Sequence, residues 1–241
     1  MLSKERIDEL AQLQINLGYT FKDILLLNKA LTHKSYVNEK SEAIKNNERF
    51  EFMGDSVLDV VVSHYMVKTF QDFSEGLLSK IRAAVVNEAC LAGLARDICL
   101  GDYLLLGRGE DLTGGRDKNS ILANAFEAVA GAVYFDSNLE TAYDVFLPRL
   151  KKEIAQYAKT SRFRDFKSEL QHFSQNTLNC IPFYKVVKET GPDHEKQFEV
   201  VVRTNGEEQG RGAGRSKKEA EQAAARSALE HLNPEFKENG G

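Results

Sequence analysis

Through the first two thirds of the chain, apolar residues recur at three- and four-residue intervals, the period of a helix that buries one face. The spacing predicts amphipathic helices over roughly 3–16, 22–32, 47–69, 76–98, 119–135 and 139–157. Val and Ile are too interspersed with Ala, Leu and Glu to read as strands. Breakers fall between the runs: Gly18, the polar stretch 38–46, Gly101 and the loop 107–117. Ser74, followed by Glu75 and Gly76, predicts a helix start with Ser as its cap.

Over 158–164 (AKTSRFR) the apolar period lapses, which predicts a linker. Beyond it the pattern changes. Residues 165–175 are helical again, and then PFYKVVK (182–188) and QFEVVVRT (197–204) concentrate β-branched and aromatic residues. Asn205-Gly206 is a two-residue hairpin signal. Residues 207–214 continue as a third strand, and 216–232 form an Ala-rich helix. The expected architecture is an all-α domain over 1–157, then a small α+β domain of α-β-β-β-α order over 165–235, with 236–241 as a tail.

One run carries chemistry as well as pattern: NNERFEFMGDSVLDVVVSHYM. Glu48, Glu51 and Asp55 stand at spacings of three and four, within about a third of the helix circumference at ~100° per residue. Phe50, Met53, Val57, Val60 and Val61 form the neighbouring apolar face. Crowded carboxylates repel, and a hard divalent cation that takes oxygen ligands offsets the repulsion. Mg²⁺ is the expected ion, with Mn²⁺ as a substitute. Asn124 and Glu127 lie three apart on the predicted helix 119–135. If the two helices pack together, Glu51, Asp55, Asn124 and Glu127 converge on one ion. Any one of these acids alone would read as a solvated surface residue. The clustering changes that reading.

Composition narrows the picture. The chain has 241 residues, 42% apolar and 28% charged, as in a soluble globular protein. Nothing approaches 18 consecutive apolar residues, so no membrane span is expected. The N-terminus lacks the apolar core of a secretory signal. Cys90, Cys99 and Cys180 match no zinc spacing and fit thiols in a reducing compartment. A cytoplasmic setting is expected. The net charge is −4, but residues 161–241 hold 13 basic and 13 acidic residues, so a basic binding surface has to be local. Gly107-Arg108-Gly109 and Gly114-Gly115 lack a GK[ST] ending, which excludes a P-loop, and no organic cofactor is expected. A di-metal oxidoreductase bundle needs a pair of Glu-x-x-His motifs, which is absent. His33 and His64 read as structural.

The segment NERFEFMGDSVLDVVVS resembles the signature of the bacterial ribonuclease III enzymes. Leu31-Thr32-His33-Lys34-Ser35-Tyr36, Ser74-Glu75-Gly76 with Leu78-Ser79-Lys80, and ILANAFEAVAGAVYFD match as well. The resemblance implies a helical nuclease domain that forms a homodimer and cuts both strands of double-stranded RNA with Mg²⁺, leaving 5′-phosphates and short 3′ overhangs. It makes Glu51 and Glu127 the principal metal ligands, Asp55 the acid that holds or orients the attacking water, and Glu48 an outer carboxylate. Glu75 would lie near the RNA in the valley of the dimer, or would only complement a helix N-terminus. Asn124 departs from the family, whose commonest residue there is Asp. Its amide oxygen can still ligate Mg²⁺ but brings no charge.

The C-terminal module resembles a double-stranded RNA-binding domain through Asp165–Gln175, the loop Gly191-Pro192-Asp193-His194, and Gly210–Ala224. Such domains read A-form shape through 2′-OH and phosphate contacts. Ser216 would cap the last helix, and Lys217 and Lys218 in its first turn would face phosphates. Arg211 and Arg215 would thicken the positive patch, with Gly212 and Gly214 admitting close backbone approach. Ser168, Gln171 and His172 would reach one minor groove and His194 the next, although the family more often has Glu at position 172. Two functions follow. One is an endoribonuclease that processes ribosomal RNA precursors and structured messenger RNA. The other is a non-catalytic RNA-binding regulator in which Asn124 has silenced the cut.

Overall fold

Short polar side chains open several of the helices. In the computed structural model, which describes residues 2–40, 45–71, 73–159, 165–192 and 195–233, Ser3 accepts from the Arg6 N–H and opens α1 (Lys4–Leu17). Gly18, in the left-handed region at φ 73°, closes it. Asp23 caps α2 (Ile24–Ala30), and the His33 ring accepts from the Ser35 N–H to cap α3 (Lys34–Asn38). Burial holds His33 below its usual pKa, which keeps the acceptor nitrogen free for that role. Next come α4 (Glu48–Thr69) and α5 (Glu75–Val85), the latter capped by Ser74 as expected.

The run 76–98, expected as one helix, is two. Asn87 takes an extended backbone, donates to the Ala84 carbonyl behind it and accepts from the Cys90 N–H ahead. One side chain thus ends α5 and starts α6 (Glu88–Asp97). The expected loop 107–117 also holds a short helix, α7 (Arg108–Leu112). α8 (Asn119–Asp136) and α9 (Leu139–Lys159) complete the first unit, which the contacts delimit as Met1–Ala158. α8 is its axis. Along Ile121–Val133 every residue is buried except Asn124 and Glu127, which are half-buried. At the far end of α8, Asp136 accepts from the Tyr19 hydroxyl at 2.6 Å and from the Lys22 and Asp23 N–H groups at 2.9 Å. Burial opposes the Asp136 charge, but these donors outweigh it and hold the carboxyl below its usual range.

The second unit spans Lys159–Gly241. Its described part contains α10 (Phe166–Thr177), β1 (Phe183–Thr190), β2 (Gln197–Thr204), β3 (Glu207–Gly214) and α11 (Lys217–Leu232), matching the expected α-β-β-β-α order. The sheet is antiparallel in the order β1-β2-β3. Asn205 and Gly206 turn between β2 and β3 with both φ angles positive, 52° and 87°, as a primed hairpin turn requires. Phe166, Leu170, Val200, Val202 and the alanine row Ala220, Ala224, Ala228 make the core. Linker residues 160–164, the loop residues Asp193 and His194, and the tail 236–241 lie outside the described residues.

Gly210, Gly212 and Gly214 alternate along β3 with their faces toward α11. A Cβ on Gly210 would strike the Ala224 carbonyl and Ala228 backbone, and one on Gly212 the Ala224 backbone. One on Gly214 would strike Glu219 and the Ala220 N–H. The close approach that Gly212 and Gly214 permit is therefore to a helix of the same module, which corrects the reading that it serves a ligand.

Candidate active site

Two glycines bring α4 and α8 into backbone contact. A Cβ on Gly54 would overlap the Glu127 carbonyl, and a Cβ on Gly131 would overlap the Phe50 carbonyl. The contact is reciprocal, because each glycine sits on the residue one helical turn before the other helix's glycine. It carries three of the expected acids with it. Glu51 follows Phe50, Asp55 follows Gly54, and Glu127 itself lies under Gly54.

Around α4, at ~100° per residue, three stripes succeed one another. Phe50, Gly54, Val57, Leu58, Val61 and Met66 are buried. Beside them run Glu51, Asp55 and Asp59. Beyond the acids run Phe52, Val60 and Val67, which are 78%, 46% and 62% exposed. Val60, expected on the buried face, belongs to this outer stripe. It stands at the edge of the apolar arc and lines an open groove with His64, Val67 and Arg82.

The acids feel one another. Burial, then Asp55, Glu51 and Asp59, push the Glu127 carboxyl up to about 7. Burial and then Glu48 and Asp55 raise Glu51, against the pull of Lys34. Among the described residues, Glu51, Asp55, Asn124 and Glu127 form no side-chain hydrogen bond and no ion pair. No three His, Cys, Asp or Glu side chains among the described residues are gathered tightly enough to hold a metal as they stand. The donor set is all-oxygen and repulsive, half-buried at Glu51, Asn124 and Glu127 and exposed at Asp55, which is the chemistry a hard cation suits.

Asp59 was not anticipated. It continues the i, i+4 series of Glu51 and Asp55, a signal present in the sequence. Its carboxyl is raised by burial, opposed by Arg82 at 3.7 Å, and raised further by Asp55. Arg82 also donates to the Ser63 hydroxyl at 3.1 Å. Glu48 is exposed and pairs with Lys34 at 3.5 Å, not with the adjacent Arg49. Glu75 is exposed at the start of α5. It accepts from the Ser79 hydroxyl at 2.8 Å and lines a groove with Ser63, Val67 and Arg82. His64 makes an edge-on ring contact with Tyr143.

In the second unit, Ser216 caps α11 by accepting from the Glu219 N–H, and Glu219 accepts from the Arg215 N–H. These two bonds fix the first turn. Lys217 and Lys218 are exposed there, and Arg215 is exposed beside them. Among the described residues none of the three side chains forms an ion pair. Arg211 differs: Glu199 at 2.8 Å and Glu208 at 3.1 Å already offset its charge. This corrects its place in the positive patch. Asp165 binds Gln222 at 2.7 Å and Lys167 binds Glu221 at 2.7 Å, so the first turn of α10 lies beside the second turn of α11. Ser168, Gln171 and His172 are exposed on α10. The Asn176 amide sits 3.2 Å from the His172 ring.

Family comparison places this arrangement. Residues 23–154 match the model of ribonuclease-III-like domains. Residues 166–232 match the double-stranded RNA binding motif. Ribonuclease 3 of Caldanaerobacter subterraneus is 46% identical over 92% of this chain and 98% of its own length. The chain belongs to the ribonuclease III family. It is an endoribonuclease of that family, acting on double-stranded RNA. Ribonuclease 3 of Campylobacter fetus is 44% identical over 94% of this chain and all of its own. The crystal structure of the ribonuclease III nuclease domain from Campylobacter jejuni, 44% identical, superposes with a TM-score of 0.55 over 59% of this chain and 93% of that one. Another structure of that domain, at the same identity and TM-score and covering 59% and 96%, is described for flexibility in a region involved in dimer formation. Among the described residues no helix is long and apolar enough to cross a membrane.

Proposed function

We propose that this ribonuclease III family member is a homodimeric, Mg²⁺-dependent enzyme whose cutting site is the acidic patch at the α4–α8 crossing. The observation that carries the reading is the α4–α8 backbone crossing, which brings Glu127 near enough to Asp55 and Glu51 for their charges to add to burial in raising its carboxyl, and which leaves Asn124 and Glu127 as the half-buried breaks in a buried helix. Glu51 and Glu127 would hold the cation, and Asn124 would add a neutral amide oxygen. Asp55, exposed at the rim, would orient the attacking water and take its proton. When bound, the divalent ion supplies neutralisation of the phosphoryl oxygens and acidifies water. Mn²⁺ shares the preference for oxygen donors and would substitute. Glu48 would act from outside the ligand set. Glu75 would meet RNA along the α5 groove.

Cutting both strands to leave 5′-phosphates and short 3′ overhangs takes two sites, which a two-fold dimer provides. The uncovered stripe Phe52, Val60, Val67 on α4, beside the acids, supports that assembly. Light scattering of the full chain at micromolar concentration should give twice the single-chain mass, and a single-chain mass would reject the dimer. In the second unit, Lys217, Lys218, Arg215 and Ser216 would anchor phosphates, and Ser168, Gln171 and His172 would enter a minor groove. His194 keeps its proposed contact from sequence alone. Free Cys90, Cys99 and Cys180 fit a cytoplasmic enzyme, and ribosomal precursors and structured messengers are the proposed substrates.

Labelled duplex RNA titrated with Mg²⁺ tests the reading. Cleavage that requires Mg²⁺ supports it. Tight binding without cleavage at any Mg²⁺ level would instead favour the silenced RNA-binding regulator. Asn124→Asp separates the two further. Adding a charge to the ligand set should lower the Mg²⁺ concentration for half-maximal rate by about tenfold, the size of one extra ~1.4 kcal/mol contact. No shift would remove position 124 from the ligands.

A further inference from the structure

The acids are not carried on loops that could adjust to an ion. Glu51 and Asp55 each follow a residue that takes part in the glycine crossing, and the carbonyl seated under Gly54 is that of Glu127 itself. Both helices are closely packed there. Phe50 and Gly54 are buried on α4, and Ala128, Val129, Ala130 and Gly131 are buried on α8. The distance between the helix backbones therefore bounds how closely their carboxylates can approach one another.

We propose that the Gly54–Gly131 crossing is a size gauge for the divalent cation: by holding α4 and α8 at backbone contact, it lets Glu51, Asp55 and Glu127 close around an ion as small as Mg²⁺. The inference rests on the metal reading of this site and adds what selects the ion. Mg²⁺ takes oxygen ligands at about 2.0–2.1 Å in near-ideal octahedral geometry, whereas Ca²⁺ takes them at about 2.3–2.6 Å in looser arrangements. The difference is a few tenths of an ångström per ligand. A methyl group at either glycine would meet a carbonyl well inside van der Waals contact, so the helices would have to part by more than that difference. The wider site would lose Mg²⁺ first and keep Ca²⁺.

Calorimetric titration of the full chain with Mg²⁺ alone and with Ca²⁺ alone, without RNA, tests this. Gly131→Ala should shift the ratio of the two dissociation constants toward Ca²⁺ by about tenfold. Gly93→Ala should leave the ratio unchanged, because a Cβ on Gly93 meets nothing within 4 Å. Glu127→Asp withdraws one carboxylate without touching the crossing, and it should move the ratio in the same direction. If Gly131→Ala does not fold, the wild-type ratio decides: wild-type protein that binds Ca²⁺ more tightly than Mg²⁺ would sink the gauge. Wild-type protein that binds neither ion would sink the metal reading together with the gauge. Wild-type protein that binds Mg²⁺, with variants that weaken both ions equally, would sink the gauge alone.

Discussion

Glu127→Gln should reduce cleavage of duplex RNA by about 10³-fold at saturating Mg²⁺, the equivalent of ~4 kcal/mol of lost transition-state stabilisation. The duplex should bind as before. The carboxamide keeps the size of the side chain and one oxygen, so the change removes charge and little else. Damage to the fold is not a competing explanation. Among the described residues, Glu127 has no hydrogen bond or ion pair to lose. Its carboxyl is pushed up to about 7 by burial and by Asp55, Glu51 and Asp59, so at neutral pH and above its charge works against the folded unit. Removing that charge should leave the melting temperature unchanged or raise it. Single-turnover kinetics, a gel-shift titration and a thermal melt read the three quantities separately. Unchanged turnover would reject Glu127 as a ligand.

Lys217→Ala combined with Lys218→Ala should weaken duplex binding by about tenfold or more in dilute salt, and lower the slope of log affinity against log salt by roughly one to two. Each lysine that neutralises a phosphate releases a condensed counterion, and the slope counts those releases. The helix should survive the change. Ser216 still accepts from the Glu219 N–H and Glu219 from the Arg215 N–H, and alanine is the better helix former. Circular dichroism checks the helix and a salt series checks the slope. An unaltered slope would remove phosphate contacts from this turn.

How much of this was legible in the sequence depended on whether the signal was local. Helical period, the Asn205-Gly206 turn and the caps at Ser74 and Ser216 are local, and they are found where the pattern places them. The Asn87 break was missed because apolar spacing runs through it unchanged, and the interruption lies in one polar side chain. The acidic stripe was visible as spacing, but Asp59 was passed over although it extends the same series. The neighbours of Arg211 were not readable, since Glu199 comes from the adjacent strand and only register brings it near. The partnership of Gly54 with Gly131 is likewise a fact of packing between residues 77 positions apart by number.

The third strand of the RNA-binding module divides its positions by what change they can bear. Gly210, Gly212 and Gly214 press against the alanine row of α11, where no larger residue has room. Arg211 and Ala213 alternate with them on the exposed face. Drift in the one set would be purged by misfolding, while drift in the other passes unnoticed by the core. A lineage can therefore retune the outward charge of this strand, one residue at a time, without rebuilding the scaffold beneath it.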